Sequence, residues 1–266
     1  MIRCWIDSAV FRVVIPARYA STRLPGKPLL PLAGKPMIQW VYERACGCGA
    51  AEVVVATDEE RIARVARGFG AQVMLTSARH ETGTDRIAEV AARAGWPPEA
   101  IIVNLQGDEP LMPVELVRQV AQLLAAHPSA DIATLSAPLA GLEAFLDPNV
   151  VKVVATREGR ALYFSRAPIP WNRDAAAQGL ASQTRHDGAH RHVGLYAYRV
   201  GALQRLAALA PTPLERLERL EQLRALENGL EIRVAEALIA PGPDVNTAAD
   251  LARVAALLGA GAGVPP

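Results

Sequence analysis

Short apolar runs alternate with helical segments through the first half of the chain. Three such runs, Phe11–Pro16, Glu52–Ala56 and Ile101–Leu105, are rich in Val and Ile and do not alternate apolar with polar residues. A strand that is apolar along most of its length is buried on both faces, as in a parallel sheet covered by helices. The sequence therefore predicts an α/β fold with a doubly wound, mostly parallel sheet.

The second half of the chain changes character and is predicted to contain a β-rich insertion. Val150–Ala155 and Arg160–Phe164 flank a short turn and predict a hairpin, and His192–Tyr198 predicts a further strand. Pro213–Asn228 carries a leucine at every third position over part of its length, which predicts one long amphipathic helix ended by Gly229.

The net charge limits the kinds of binding partner, and the cysteine content indicates the cellular compartment. The net charge is only +1, too small for the broad basic field that a nucleic-acid or membrane-surface binder needs. Cys4, Cys46 and Cys48 are an odd, sparse set and indicate a reducing compartment. No stretch approaches a signal peptide or the roughly 18 apolar residues of a membrane span. We expect a soluble cytoplasmic protein with no nucleic-acid or membrane partner.

The loop after the first strand combines cations, hydroxyls and glycine. It reads Pro16-Ala-Arg-Tyr-Ala-Ser-Thr-Arg-Leu-Pro-Gly-Lys-Pro28, with three cationic side chains and no acid. Ligands of doubly wound sheets bind at the carboxyl ends of the strands, and such a mixture of donors suits a polyphosphate. It is not a Walker A loop, because proline follows Lys27. The alternative is a solvated basic loop.

This loop resembles the nucleotide-binding signature of the sugar nucleotidyltransferases, and in detail that of the CMP-Kdo synthetase family. The resemblance covers about residues 11–258. Four other segments carry it: Gln106-Gly-Asp-Glu-Pro110, Ala161-Leu-Tyr-Phe-Ser-Arg-Ala-Pro-Ile-Pro-Trp171, Arg191-His-Val-Gly-Leu-Tyr196, and Pro213-Leu-Glu followed by Leu220-Glu-Gln-Leu-Arg224.

The resemblance implies a Mg²⁺-dependent cytidylyltransferase. Such an enzyme transfers CMP from CTP to 3-deoxy-D-manno-octulosonate (Kdo), gives CMP-Kdo and pyrophosphate, and serves lipopolysaccharide biosynthesis. The chain shows no internal repeat and no obvious linker, so we expect one domain over residues 11–258 between loose termini at 1–10 and 259–266. The resemblance divides it into a nucleotide-binding half (11–140) and a sugar-binding and dimerisation half (141–258). It also implies a homodimer, with the segment Val150–Trp171 as the interface.

The resemblance also assigns site residues. Catalytic roles fall to Arg18, Lys27 and Asp108. The predicted nucleotide-binding residues are Ala17, Arg18, Ser21, Arg23, Lys27, Thr82, Gly83 and Gln106. The predicted sugar-binding residues are Arg166, His192, Tyr196, Glu221 and Gln222.

Asp108 is the predicted Mg²⁺ ligand, since Mg²⁺ prefers one or two carboxylates with phosphate oxygens and waters. Its neighbour Glu109 is the second choice, and capping of the following turn is the alternative role for Asp108. The resembled family has a second metal carboxylate in a Val-Asp-Thr segment, but this chain has Asn246 at that position. Asn246 offers an oxygen without charge, and Asp244 is a candidate to compensate. We expect weaker Mg²⁺ binding and an activity gain for Asn246→Asp.

Several of these residues also have a purely structural interpretation, and the chain has other functional interpretations. Thr84 is a good helix cap without any ligand role. The charges of the leucine-rich helix, including a Glu215–Arg219 pair, can be a solvated face. Zinc on His186, His190 and His192 is disfavoured because no fourth ligand is near. Other functional readings are a cytidylyltransferase for sialic acid or 8-amino-Kdo, and a non-catalytic nucleotide-sugar sensor.

Overall fold

The computed structural model describes residues 10–19, 24–176 and 178–259. Most of both predicted loose termini therefore lies outside the described residues. The strands are β1 (Phe11–Ala17), β2 (Pro31–Leu32), β3 (Lys35–Pro36), β4 (Glu52–Thr57), β5 (Gln72–Leu75), β6 (Ile101–Asn104), β7 (Ile132–Pro138), β8 (Lys152–Ala155), β9 (Ala161–Ser165), β10 (His190–Arg199) and β11 (Ile232–Glu236). The α-helices are α1 (Met37–Gly47), α2 (Glu60–Gly68), α3 (Gly83–Arg93), α4 (Val114–Ala125), α5 (Leu142–Leu146), α6 (Val200–Ala208), α7 (Pro213–Glu218), α8 (Gln222–Glu227) and α9 (Ala248–Gly259).

The main sheet has the spatial order β11-β7-β10-β6-β1-β4-β5. Strand β1 pairs in parallel with both β4 and β6, and β11 pairs in parallel with β7. Strand β10 is antiparallel to β6 and to β7, and it also carries the hairpin β8–β9. The predicted mostly parallel α/β sheet and the predicted hairpin are confirmed.

Helices cover both faces of the sheet. Along β1, Val13 and Ile15 pack into one core with Ile38 of α1, whereas Val14 packs into the other core with Ile87 of α3. All five side chains are fully buried. This two-sided burial is the reason that the first strand is apolar without alternation. Within the described residues, no helix combines the length and apolar character needed to cross a bilayer.

The predicted single helix over Pro213–Asn228 is wrong. The chain forms α7 and α8 instead, because Arg219 adopts a left-handed conformation with φ of +54° between them. The break leaves Leu217 80% exposed while Leu223 is fully buried. The solvated-face alternative pairs Glu215 with Arg219, but in the structure Glu215 pairs with Arg224 at 2.6 Å.

Two helix starts differ from the prediction by one or two residues. Asp58, directly before the helical pattern, is the N-cap that the sequence predicts for α2. In the structure Glu59 is the cap instead, because its side chain accepts a hydrogen bond from the Arg61 backbone N–H. Thr82, not Thr84, caps α3 in a reciprocal capping box with Asp85. Helices α5 and α6 were not predicted at all. The predicted end at Gly229 is confirmed, with φ of +74°.

Lys152 fixes the base of the β8–β9 hairpin from inside the protein. The residue is fully buried, and its Nζ donates to three backbone carbonyls: Asp147 at 2.9 Å, Val150 at 2.6 Å and Arg166 at 2.7 Å. Burial lowers the pKa of this amine. The three acceptors use all three hydrogens of the ammonium group.

We predict that Lys152→Met lowers the free energy of unfolding by about 2–4 kcal/mol, because three carbonyls lose a charged donor. Urea denaturation measures the change. The matched control is Lys35→Met, which breaks a half-exposed ion pair with Glu43 at 2.7 Å and costs less than about 1 kcal/mol. An equal loss in the two variants would contradict the role given to Lys152.

Candidate active site

The predicted site residues gather at the carboxyl edge of the sheet, where β1 and β6 end. The loops after these strands approach closely: a Cβ built on Gly107 would lie 3.0 Å from the Pro16 carbonyl oxygen. A Cβ on Gly83 would lie 3.4 Å from Pro16 Cγ and 4.0 Å from Gln106 Oε1. The sheet therefore brings Gly83 and Gln106 beside the end of β1, at the edge where such folds bind ligands.

Lys27 joins the loop after β1 to two distant segments of the chain. It opens a 3₁₀ turn after Gly26, whose φ of +68° favours glycine and whose Cβ would lie 3.2 Å from the Tyr19 ring. Lys27 Nζ lies 2.5 Å from Asp108 Oδ2 and 3.4 Å from Asn246 Oδ1. Three residues predicted to serve the same reaction thus meet at one ammonium group.

Close backbone packing holds the segment that carries Asn246. A Cβ on Gly242 would lie 2.3 Å from the Leu111 carbonyl oxygen, so only glycine fits there without a shift. Val245 is fully buried, and its N–H donates to the Asp108 carbonyl oxygen at 2.9 Å. The backbone position of Asn246 is therefore set by its contact with the loop of Asp108.

The oxygen atoms around Lys27 fit Mg²⁺ that arrives with a phosphorylated ligand. Asp108 offers a carboxylate and Asn246 an amide oxygen. Within the part of the chain that the structure describes, no group of three or more His, Cys, Asp or Glu residues is placed to hold a metal ion. Two protein oxygens cannot cage a cation alone, but Mg²⁺ commonly takes one or two carboxylates and completes its shell with phosphate oxygens and waters.

Glu109 lies next to Asp108 and is half-buried. Its Oε2 is buried and has no hydrogen-bond partner among the described residues. Burial raises the pKa of this carboxyl to about 8, and the charges of Asp108 and Asp244 add to the effect. Glu109 is thus protonated near neutral pH in the absence of a cation, which makes it a poorer metal ligand than Asp108.

The loop that carries the predicted nucleotide-binding residue Thr82 leads directly into α3. Thr82 accepts from the Asp85 N–H at 3.1 Å, and the Thr82 N–H donates to Asp85 at 3.1 Å. His80 Nε2 lies 2.6 Å from Glu89 Oε2, which also accepts from the Ser77 N–H at 2.8 Å. The predicted ligand contact and the capping role of Thr82 fall on one residue, because the loop that presents it is also the start of a helix.

Arg18 lies in a network of charges that sequence reasoning covered only in part. The pKa of its guanidinium is lowered by burial and by Arg86, while Asp58 and Glu221 oppose the shift. Arg86 is fully buried, donates to Thr76 and lies 3.3 Å from Asp58. Arg86 and Asp58 are neighbours that the prediction missed. Arg86 lies three residues after Gly83, a predicted nucleotide-binding residue, so a cation close to that glycine in the sequence was the available signal.

His192 and Tyr196 form part of an aromatic cluster beneath the β8–β9 hairpin. The His192 ring lies 5.0 Å from the Phe164 ring and 5.2 Å from the Tyr196 ring. His192 Nε2 lies 2.9 Å from Thr134 Oγ1, whose hydrogen is claimed by backbone carbonyls such as that of Leu195 at 2.9 Å. Nε2 is therefore the donor and Nδ1 is an acceptor. Burial lowers the pKa of His192 to about 3, so the ring is neutral at physiological pH.

Glu221 and Tyr196 leave polar atoms without partners. The Tyr196 hydroxyl and Glu221 Oε1 are both buried and unbonded within the described residues. Burial raises the pKa of each group. Glu221 also interacts with Thr84 and Arg18. It is therefore not the solvated helix charge that the alternative interpretation allowed.

The remaining predicted site residues contact the backbone, are buried, or lie outside the described residues. Arg166 Nε donates to the Glu218 carbonyl at 2.6 Å and Nη1 to the Pro148 carbonyl at 2.9 Å. Gln222 is buried at the first position of α8, and Ala17 is buried at the end of β1. Two predicted phosphate-side residues, Ser21 and Arg23, lie outside the described residues.

Comparisons with known proteins give one consistent result. A profile of the cytidylyltransferase family matches residues 12–232. A 3-deoxy-manno-octulosonate cytidylyltransferase of Thioalkalivibrio sulfidiphilus is 58% identical over 248 residues, covering 93% of this chain and 98% of that protein. One of Pseudomonas fluorescens is 55% identical over 251 residues, covering 94% and 99%. A solved structure of CMP:2-keto-3-deoxy-manno-octonic acid synthetase complexed with CTP has a TM-score of 0.84 at 44% identity, covering 94% of this chain and 99% of that one.

The raised pKa of Glu109 predicts a pH dependence of stability. Between the ordinary pKa of 4.5 and about 8, the unfolded chain loses this proton while the folded chain keeps it. The stability that protonated Glu109 provides is thus present at low pH and lost as the pH rises through the folded-state pKa. In metal-free buffer, the native protein should lose roughly 1–3 kcal/mol relative to Glu109→Gln between pH 5 and pH 8.

Urea unfolding with EDTA at the two pH values measures this difference. Glu99→Gln, an exposed glutamate at the opposite edge of the sheet, is the control. If the native protein and Glu109→Gln change in parallel with pH, Glu109 does not hold its proton in the folded state.

Proposed function

The chain belongs to the cytidylyltransferase family, and we propose that it transfers CMP from CTP to Kdo, giving CMP-Kdo and pyrophosphate for lipopolysaccharide biosynthesis. The observation that carries the proposal is the meeting of Lys27, Asp108 and Asn246 at the carboxyl edge of a doubly wound sheet. A positive donor beside carboxylate and amide oxygens suits a nucleoside triphosphate with its cation. Two relatives at 55–58% identity are both 3-deoxy-manno-octulosonate cytidylyltransferases, which supports Kdo as the acceptor.

Lys27 and Arg18 hold the triphosphate in this proposal. Both follow β1, and the ammonium of Lys27 can leave Asp108 for a phosphate oxygen without losing an anionic partner. Arg18 brings a planar guanidinium from the position directly after β1. Positioned cations stabilise the charge that develops while the anomeric hydroxyl of Kdo attacks the α-phosphorus and pyrophosphate leaves.

Asp108 and Asn246 hold Mg²⁺ in this proposal. A bound Mg²⁺ neutralises phosphate charge and polarises the reacting oxygens. Asp108 provides the charged ligand, and Asn246 provides a neutral one. Lys27 lies between these two oxygens, so binding of a cation and rotation of Lys27 toward the phosphates are compatible events.

The acceptor sugar is recognised by the partly buried groups around β10. Kdo carries many hydroxyls and one carboxylate. The Tyr196 hydroxyl and Glu221 Oε1 are buried polar atoms that lack partners among the described residues. His192 Nδ1 is the acceptor nitrogen of a ring whose Nε2 donates to Thr134. Each of these three atoms can bond a sugar hydroxyl. Arg166 uses Nε and Nη1 to bind backbone carbonyls, and Nη2 is the nitrogen we assign to the sugar carboxylate.

We further propose a cytoplasmic homodimer that associates through the segment Val150–Trp171. Leu162 is 54% exposed and Trp171 is 40% exposed on that segment. Exposed apolar side chains grouped on one β-rich element favour a protein contact.

The test of function is pyrophosphate release from CTP with a panel of acidic sugars, with and without Mg²⁺. We expect release with Kdo and Mg²⁺, and at least about a 100-fold lower kcat for Asp108→Asn, because a ligand to the charge-neutralising cation is lost. Glu99→Gln is the control and keeps native turnover. Preference for sialic acid or 8-amino-Kdo would change the acceptor, and absence of release with every sugar would favour a sensor.

The dimer is tested by sedimentation equilibrium. Leu162→Asp places a charge in the proposed interface and should shift the protein from two chains to one. Leu238→Asp, at a residue 69% exposed outside that segment, should leave the dimer intact. A monomeric native protein, or a dimer that persists in Leu162→Asp, would contradict the proposed interface.

A further inference from the structure

The side-chain amide of Asn246 has two unlike ends, and the structure fixes which end faces the cationic group. Nδ2 donates to Asp244 Oδ2 at 2.5 Å, while Oδ1 lies 3.4 Å from Lys27 Nζ. The oxygen of an amide attracts a cation, but its NH₂ group repels one. The direction of this amide therefore decides whether Asn246 supports or opposes a cation beside Asp108.

The backbone around Asn246 is fixed independently of that amide. The Asn246 N–H donates to Asp250 Oδ2 at 3.1 Å, and the Val245 N–H donates to the Asp108 carbonyl at 2.9 Å. The remaining freedom is rotation of the amide group. Among the described residues, Asp244 provides the hydrogen bond that Nδ2 makes. Asp244 thus selects one of the two amide orientations.

Asp244 also supplies a charge that Asn246 lacks. The Asp244 carboxylate is hydrogen-bonded to Nδ2 of Asn246, and Oδ1 of the same amide faces Lys27. The hydrogen-bonded pair Asp244–Asn246 therefore presents an oxygen to the cation and carries one negative charge as a unit.

We propose that Asp244 is a positioning residue, which turns the Asn246 oxygen toward the cation of the nucleotide and provides the negative charge that the amide does not. The inference rests on the proposed function, because the cation is taken to arrive with CTP. It revises the expectation that Asn246→Asp alone raises activity. In that variant two carboxylates face each other where the hydrogen bond was, which opposes the gain.

The test uses the full chain with CTP and no acceptor, so that no turnover is required. Free Mn²⁺ is followed by electron paramagnetic resonance during titration. Asp244→Ala should weaken Mn²⁺ binding about tenfold, as expected for loss of a group that orients a metal ligand. The exchange variant Asp244→Asn with Asn246→Asp restores the hydrogen bond in reverse and faces a carboxylate to the cation, so it should bind at least as tightly as the native protein.

Two controls keep the result clear. Glu99→Ala removes one negative charge at the opposite edge of the sheet and should bind Mn²⁺ as the native protein does. Asp244→Asn keeps an acceptor oxygen for Nδ2, so it tests the charge alone even if Asp244→Ala folds poorly, and it should fall between Asp244→Ala and the native protein. Thermal melting of every variant reports folding.

Native affinity in both Asp244→Ala and Asp244→Asn, or an exchange variant as weak as Asp244→Ala, would overturn the role of Asp244. A failure of the proposed function has a different signature. In that case the native protein releases no pyrophosphate from CTP and Kdo, whatever the order of Mn²⁺ affinities.

Discussion

The ammonium group of Lys27 is the contact on which the arrangement of this site depends. It joins the loop after β1 to Asp108, 81 residues further along the chain, and to Asn246, 219 residues further along. Without that cation, Asp108 would lie beside Asp244 and Glu109 with no opposite charge at hydrogen-bond distance within the described residues. Two glycines serve the same contact. Gly26 lets the chain turn so that Lys27 enters the site, and Gly242 lets the Asn246 segment approach Leu111.

This interaction also explains how a site rich in acids can accept a polyphosphate. The protein holds an internal cation between the oxygens that an Mg²⁺ ion would use in the proposed reaction. In the proposed reaction, Lys27 would exchange its carboxylate partner for a phosphate oxygen, and Asp108 would be free to hold the metal ion. Each charge keeps an opposite charge throughout, which limits the cost of desolvation.

Much of the fold follows from local patterns in the sequence. The apolar runs specify the parallel strands because both faces of the sheet are covered, and the turn before Arg160 specifies the hairpin. The break between α7 and α8 could not be predicted from leucine spacing, since it depends on tertiary contacts. From the end of α7, Glu218 accepts hydrogen bonds from the Ser165 hydroxyl at 2.6 Å and from the Arg166 backbone N–H at 2.9 Å.

The candidate site was predictable to a similar extent. Motifs identified Lys27, Asp108 and Asn246, but not that one ammonium group touches both oxygens. Arg86 and Asp58 were missed because a fully buried arginine beside an aspartate depends on how α3 packs over β4. The orientation of the Asn246 amide depends on a hydrogen bond between residues two apart, and residue type alone does not specify its direction.

The most direct test of the account is a crystal structure of the protein with CTP and Mn²⁺, in which anomalous scattering locates the metal. The account predicts one Mn²⁺ bound by Asp108, by the Asn246 oxygen and by phosphate oxygens, with Lys27 moved onto the triphosphate. A metal bound away from Asp108, or a nucleotide whose phosphates make no contact with Lys27, would contradict it.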